Sequence, residues 1–97
     1  MFIISKKVTG DGAVHTFASQ IGVTAAKWVQ ASIGASNSAA VLVGGPEVTS
    51  TVGFPLNAPY GGQPLPPISE MSNLYYLDRC YYYAAVGDIF WVLVGVD

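Results

Sequence analysis

The stretch Tyr81-Tyr82-Tyr83-Ala84-Ala85-Val86-Gly87-Asp88-Ile89-Phe90-Trp91-Val92-Leu93-Val94 decides the fold class. Tyrosine, valine, isoleucine, phenylalanine and tryptophan favour strands, because branched and aromatic side chains pack well on a pleated surface. Val86-Gly87-Asp88 between the two apolar runs is a turn signal. Neither run alternates with polar residues, as a strand with one wet face does. Both faces of each run therefore predict cover, the domain core on one side and a second subunit on the other. Tyrosine and tryptophan are favoured at such interfaces. A solvated tyrosine face is the competing reading, stronger around Tyr82 than for Phe90, Val92 and Val94.

Working outward, further strands are expected at Phe2 to Val8, Val14 to Ser19, Ala39 to Val43, Val48 to Val52, Leu74 to Ala84 and Asp88 to Val96. The one window long enough for a helix, Ile21 to Ile33, alternates roughly as a strand does and is bracketed by Gly22 and Gly34, so it is assigned as strand. Gly10-Asp11-Gly12, Ser36-Asn37-Ser38 and Gly44-Gly45-Pro46 mark turns between them. Short strands spaced by about ten residues predict a sandwich or barrel. A parallel α/β fold is excluded, since no crossover helices are available. The segment Gly53 to Pro67 holds five of the six prolines and cannot be a central strand, because proline lacks a ladder donor. It is expected as a long extended connection or an edge strand.

Ninety-seven residues make one domain, 1–97. Hydrophobic residues are 52% of the chain and charged ones only 10%, against about a quarter in average domains. So few charges predict a surface rich in small polar residues, partly buried against neighbours. Net charge is −2, with three lysines and one arginine, so no basic stripe exists and direct nucleic-acid binding is not expected. The single cysteine, Cys80, excludes an internal disulfide framework and a cysteine-based zinc site, and reads as a small buried hydrophobe in a reducing cytoplasm. The start of the chain has its positive charges after its apolar residues, unlike an export signal. The last apolar run, Ile89 to Val96, is far short of the roughly 20 residues of a membrane span. A soluble, unprocessed chain is expected.

Catalytic equipment is sparse. His15 is the only histidine, and no second histidine or cysteine pair could complete a metal site with it. A triad could be drawn through His15 with Asp11, Asp78 or Asp88, yet spacing gives it no support. Most carboxylates sit beside glycine, proline or serine in turns, where acids are ordinary. Gly44-Gly45-Pro46 lacks the lysine of a phosphate loop, and neither a calcium loop nor a nucleotide fingerprint is present. No enzyme, no catalytic residue, no metal and no cofactor are expected. Asp78-Arg79 would point to opposite faces of a strand, or both sit in a loop. The candidate interface residues are Tyr81, Tyr83, Phe90, Trp91, Phe54, Tyr60, Lys6 and Lys7, the two lysines as a site for an acidic neighbour.

Lys27-Trp28-Val29-Gln30, Asn37, Val41-Leu42-Val43-Gly44-Gly45, Val48-Thr49-Ser50-Thr51-Val52-Gly53-Phe54-Pro55-Leu56, Leu77-Asp78 and Val86-Gly87-Asp88 with the last strand form a pattern over about three-quarters of the chain. It resembles small β-sandwich proteins of tailed-bacteriophage structural cassettes, among them the capsid decoration (cement) proteins. The resemblance implies an antiparallel, jelly-roll-like sandwich of about seven or eight short strands. It further implies a non-enzymatic virion protein on the capsid exterior, assembled in the host cytoplasm. Its partners would be the major capsid protein and further copies of itself, as dimer or trimer, with no nucleic acid and no membrane. A carbohydrate- or receptor-binding module of a tail or fibre, or a tail or neck connector, is the alternative.

Overall fold

The first and last strands of this chain lie side by side. A computed structural model of the protein describes residues 2–56, 63–64 and 75–96, with residues 63, 64 and 75 described by backbone alone. Strand β1 (Phe2–Thr9) pairs antiparallel with β10 (Ile89–Val96), Phe2 opposite Val96 and Thr9 opposite Ile89. β10 pairs on its other side with β4 (Trp28–Ile33), which in turn pairs with β7 (Gln63–Pro64). The second sheet holds β2 (Val14–Thr16), β9 (Tyr81–Tyr83), β5 (Val41–Gly44) and β6 (Phe54–Leu56), in that order. A short third ladder joins β3 (Ala25–Ala26) to β8 (Tyr75–Tyr76).

Setting β3 and β8 aside, the eight remaining strands pair outermost with outermost: β1 with β10, β2 with β9, β4 with β7, and β5 with β6. The chain is thus one long folded-back ribbon, rolled so that alternate pairs fall in opposite sheets. That is the jelly-roll arrangement of an antiparallel sandwich. The turn at residues 86–87 does not close a hairpin, because β9 and β10 belong to different sheets. The expected all-β sandwich is the fold observed.

The core lies between the two inner faces. Val29, Ala31 and Ile33 of β4 alternate inward and meet Val94, Val92 and Phe90 of β10 across the ladder. From the opposite sheet come Val41, Val43, Leu56 and Tyr82. Phe17, Tyr82 and Phe90 form a three-ring cluster, with edge-on contacts at 5.6 Å (Phe17 with Tyr82) and 5.0 Å (Tyr82 with Phe90). Such pairs add about 0.5–1.5 kcal/mol beyond the area they bury.

Several elements differ from the sequence expectation. The strand expected over 14–19 ends at Thr16, and Phe17–Ile21 forms a single helical turn, α1. Thr16 caps it by accepting from the Ser19 N–H, and Gly22 ends it in the left-handed region at φ 90°. Local capping overrides alternation there, since a side-chain acceptor and a following glycine favour a helix turn. The strand expected over 21–33 begins only at Ala25 and breaks at Lys27, whose N–H donates to the Gly95 carbonyl. The 48–52 segment is a loop, not a strand. The Thr49 hydroxyl accepts from the Thr51 and Val52 N–H groups, giving the backbone a partner that a ladder would have supplied. Within the expected 74–84 strand, a turn at residues 77–78 separates β8 from β9. Asp78-Arg79 lies in this loop, with the Arg79 guanidinium 5.2 Å over the Tyr76 ring. Of the proline-rich connection, β6 and β7 are edge strands of the two sheets.

Candidate interaction faces

The outer face of the first sheet follows from its register. Directly opposed residues share a face, so the inward set Val8–Phe90–Ile33 leaves four outward rows. Ile3, Gly95 and Trp28 form one, Ser5, Leu93 and Gln30 the next, Lys7, Trp91 and Ser32 the third, and Thr9 and Ile89 the last. Ile3 is 65% and Leu93 36% exposed, while Trp28, Trp91 and Ile89 are half-buried. The Trp28 indole lies across Gly95, where any Cβ would collide with it. That contact explains a glycine inside an otherwise apolar strand. The face therefore carries an apolar band, Ile3, Trp28, Leu93, Trp91 and Ile89, flanked by Ser5, Lys7, Gln30 and Ser32. A groove of about 280 Å³ runs between Trp91, Leu93, Gln30, Ser32 and Ser5.

The outer face of the second sheet is smaller. Val14, Tyr83, Leu42 and Pro55 stand in one row and Thr16, Tyr81 and Gly44 in the next. Tyr81 and Tyr83 are half-buried, Val14 is 38% exposed, and Phe54 on the edge strand is 50% exposed.

The expected interface residues thus separate. Trp91 lies on the outer face of the first sheet, and Tyr81 and Tyr83 on that of the second. Phe54 is exposed at the rim. Phe90 must be corrected: it is fully buried between Phe17 and Tyr82 and presents nothing to a partner. Alternation sends it inward once Trp91 points out, because adjacent strand residues take opposite faces. Lys6 and Lys7 are both exposed, yet they split between the two sides of β1, Lys7 beside Trp91 and Lys6 beside Val92. Tyr60 lies outside the described residues. Ile3, Leu93 and Ile89 were not singled out, although the period-two pattern of β10 already placed Leu93 and Ile89 on the Trp91 side.

The groups with chemical potential lie elsewhere. His15 Nε2 donates to the Asp11 carboxylate at 2.7 Å on the exposed side of the β1–β2 turn. That bond foremost, with the Ala13 N–H, holds the Asp11 carboxyl below its ordinary value. Asp88 is buried and accepts from the Ser38 N–H, the Ser38 hydroxyl and the Ala39 N–H. Burial works to raise its carboxyl, but these three donors together hold it below the ordinary 3.8. Beside it, the Asn37 amide clasps both backbone groups of Ile89, at 2.8 and 2.9 Å. Asp88 and Asn37 together fasten the Ser36–Ser38 turn to the start of β10, which is a structural task. Burial pushes the Cys80 thiol up to about 11 and, with the nearby Asp11 charge, the Tyr82 hydroxyl to about 12. A thiol that stays protonated at neutral pH is a poor nucleophile. Among the described residues no three His, Cys, Asp or Glu side chains gather as metal ligands, and no helix is long and apolar enough to cross a membrane.

Compared with known protein families, with curated proteins and with solved structures, the chain matches none.

Proposed function

We propose that this chain is a non-enzymatic virion structural protein, and within that class a capsid decoration protein that reinforces a shell of major capsid protein. The apolar band of Ile3, Trp28, Leu93, Trp91 and Ile89 on the outer face of the first sheet carries the reading. Aromatic and aliphatic side chains flanked by short polar ones match the composition of a protein interface, an apolar centre within a polar rim. Low charge over the whole chain and the resemblance of its turns and strand starts to phage decoration proteins support the same assignment. The direct test is co-sedimentation of the purified chain with mature, expanded shells of the phage whose genome encodes it. Stoichiometric binding that raises the shells' thermal stability is expected. A chain that stays in the supernatant with every mature shell, while a tail or neck preparation carries it, would move it to a connector role.

The groove beside Trp91 favours one other reading. An indole face flanked by the Gln30 amide and the Ser5 and Ser32 hydroxyls offers stacking and hydrogen bonding together, the pairing that a sugar ring needs. On this reading the chain is a carbohydrate-binding module of a tail or fibre. A glycan array with Trp91→Ala as the control separates the two, since only a glycan binder gives signals that this variant abolishes.

A further inference from the structure

The outer edge of β1 points to a second copy of this chain. β1 is eight residues long and ends the first sheet, and among the described residues no strand lies beyond it. Among the described residues, the other three edges of the two four-stranded sheets are poor templates. β2 has three residues, β6 carries Pro55 and β7 carries Pro64. Near the start of β1, Phe2 is 69% and Ile3 65% exposed, an apolar pair at the mouth of an open edge.

We infer that two copies join edge to edge through β1, antiparallel about a twofold axis, and that this makes one continuous eight-stranded sheet. The inference rests on the decoration reading only in that it names the surface through which the copies associate. Symmetry limits the register. A twofold axis perpendicular to the sheet keeps outer faces together, so it must pass through a residue and oppose residues of equal parity. Centred on Ser5, the pairing spans Phe2 to Val8 of both strands. Phe2 meets Val8, Ile3 meets Lys7, Ile4 meets Lys6, and Ser5 meets its own copy. Each lysine stem then lies along an isoleucine, and no two ammonium groups are directly opposed. One residue further along, centred on Lys6, the same edge would set lysine against lysine, which is unfavourable. The strand is self-complementary in the Ser5 register and in none longer. On the outer face, Ile3 of each copy then lies beside Lys7 of the other, with the two Ser5 side chains between them.

Sedimentation equilibrium of the purified full chain, without capsids, tests this. Wild type is expected as a dimer, twice the 10.2 kDa chain, at concentrations up to about 100 μM. Ser5 is exposed, so Ser5→Lys leaves folding intact by circular dichroism but sets two ammonium groups against each other on the axis. Its dimer Kd should rise by about tenfold or more. Mixing Ser5→Lys with Ser5→Glu should restore a dimer, because the axis then holds opposite charges. That rescue distinguishes the Ser5 register from any other mode of association. A monomeric wild type, with the lysines acting as guards of an open edge, overturns the inference. So does a dimer that Ser5→Lys leaves unchanged. Shell binding can fail or succeed independently of either result.

Discussion

Phe90 and Trp91 are neighbours in sequence with opposite fates. Phe90 is sealed between Phe17 and Tyr82, and removing its ring empties a space that the surrounding sheets cannot refill. Phe90→Ala should cost about 3–5 kcal/mol of stability, read from urea unfolding. Trp91→Asp places its charge on the half-exposed outer face and should leave the chain folded while abolishing co-sedimentation with shells. If Trp91→Asp unfolds the protein as Phe90→Ala does, the outer band belongs to the core and not to an interface. Asp88 makes a further test. Its carboxylate answers three donors, two of them backbone N–H groups with no side-chain freedom to turn elsewhere. Asp88→Ala should cost about 2–3 kcal/mol, with the loss confined to groups left without an acceptor. The sequence marked Asp88 as a turn acid and an unsupported triad member, because its partners lie 49 and 50 residues away and no local pattern reports them.

At the scale of elements, the two longest strands and their turns were legible. β1 and β10 appear where branched and aromatic runs predict them, and Gly22 and Gly34 do punctuate the chain. What escaped was short and local. α1 is five residues with only Phe17 buried, too brief for a 3.6-residue period to register against the alternation of Val14 to Ser19. Its signal was the pairing of Thr16 with Gly22, a cap at each end. Thr16→Ala should lower stability by about 1 kcal/mol, since it leaves the Ser19 N–H without its acceptor. Equilibrium unfolding checks this, and a change near zero would mean that tertiary packing of Phe17 alone holds the turn. The outer face was half legible. Periodicity places Leu93 and Ile89 beside Trp91, but which of two apolar faces turns inward depends on the opposite sheet.

Over the whole molecule, ionisation sets a stability window with two different edges. Asp88 has a depressed carboxyl in the fold, so its contribution is complete above the ordinary 3.8 and is lost as pH falls through the lower folded value. Cys80 and Tyr82 behave in the opposite sense. Their folded values, about 11 and about 12, lie above the ordinary 9.0 and 10.0, so their contribution is complete below those ordinary values. It drains away as pH rises and the unfolded chain alone ionises. Melting temperature should therefore hold flat through neutrality, fall in acid below about pH 4, and fall again in alkali above about pH 9. Cys80→Ala should flatten the first part of the alkaline limb. The rolled ribbon has a temporal consequence as well. β1 finds its only described ladder partner in β10, with Phe2 opposite Val96, so it cannot pair until the far end of the ribbon has been made. Until then its apolar start has no described strand beside it, and the first sheet closes late, on the slow timescale of long-range strand closure.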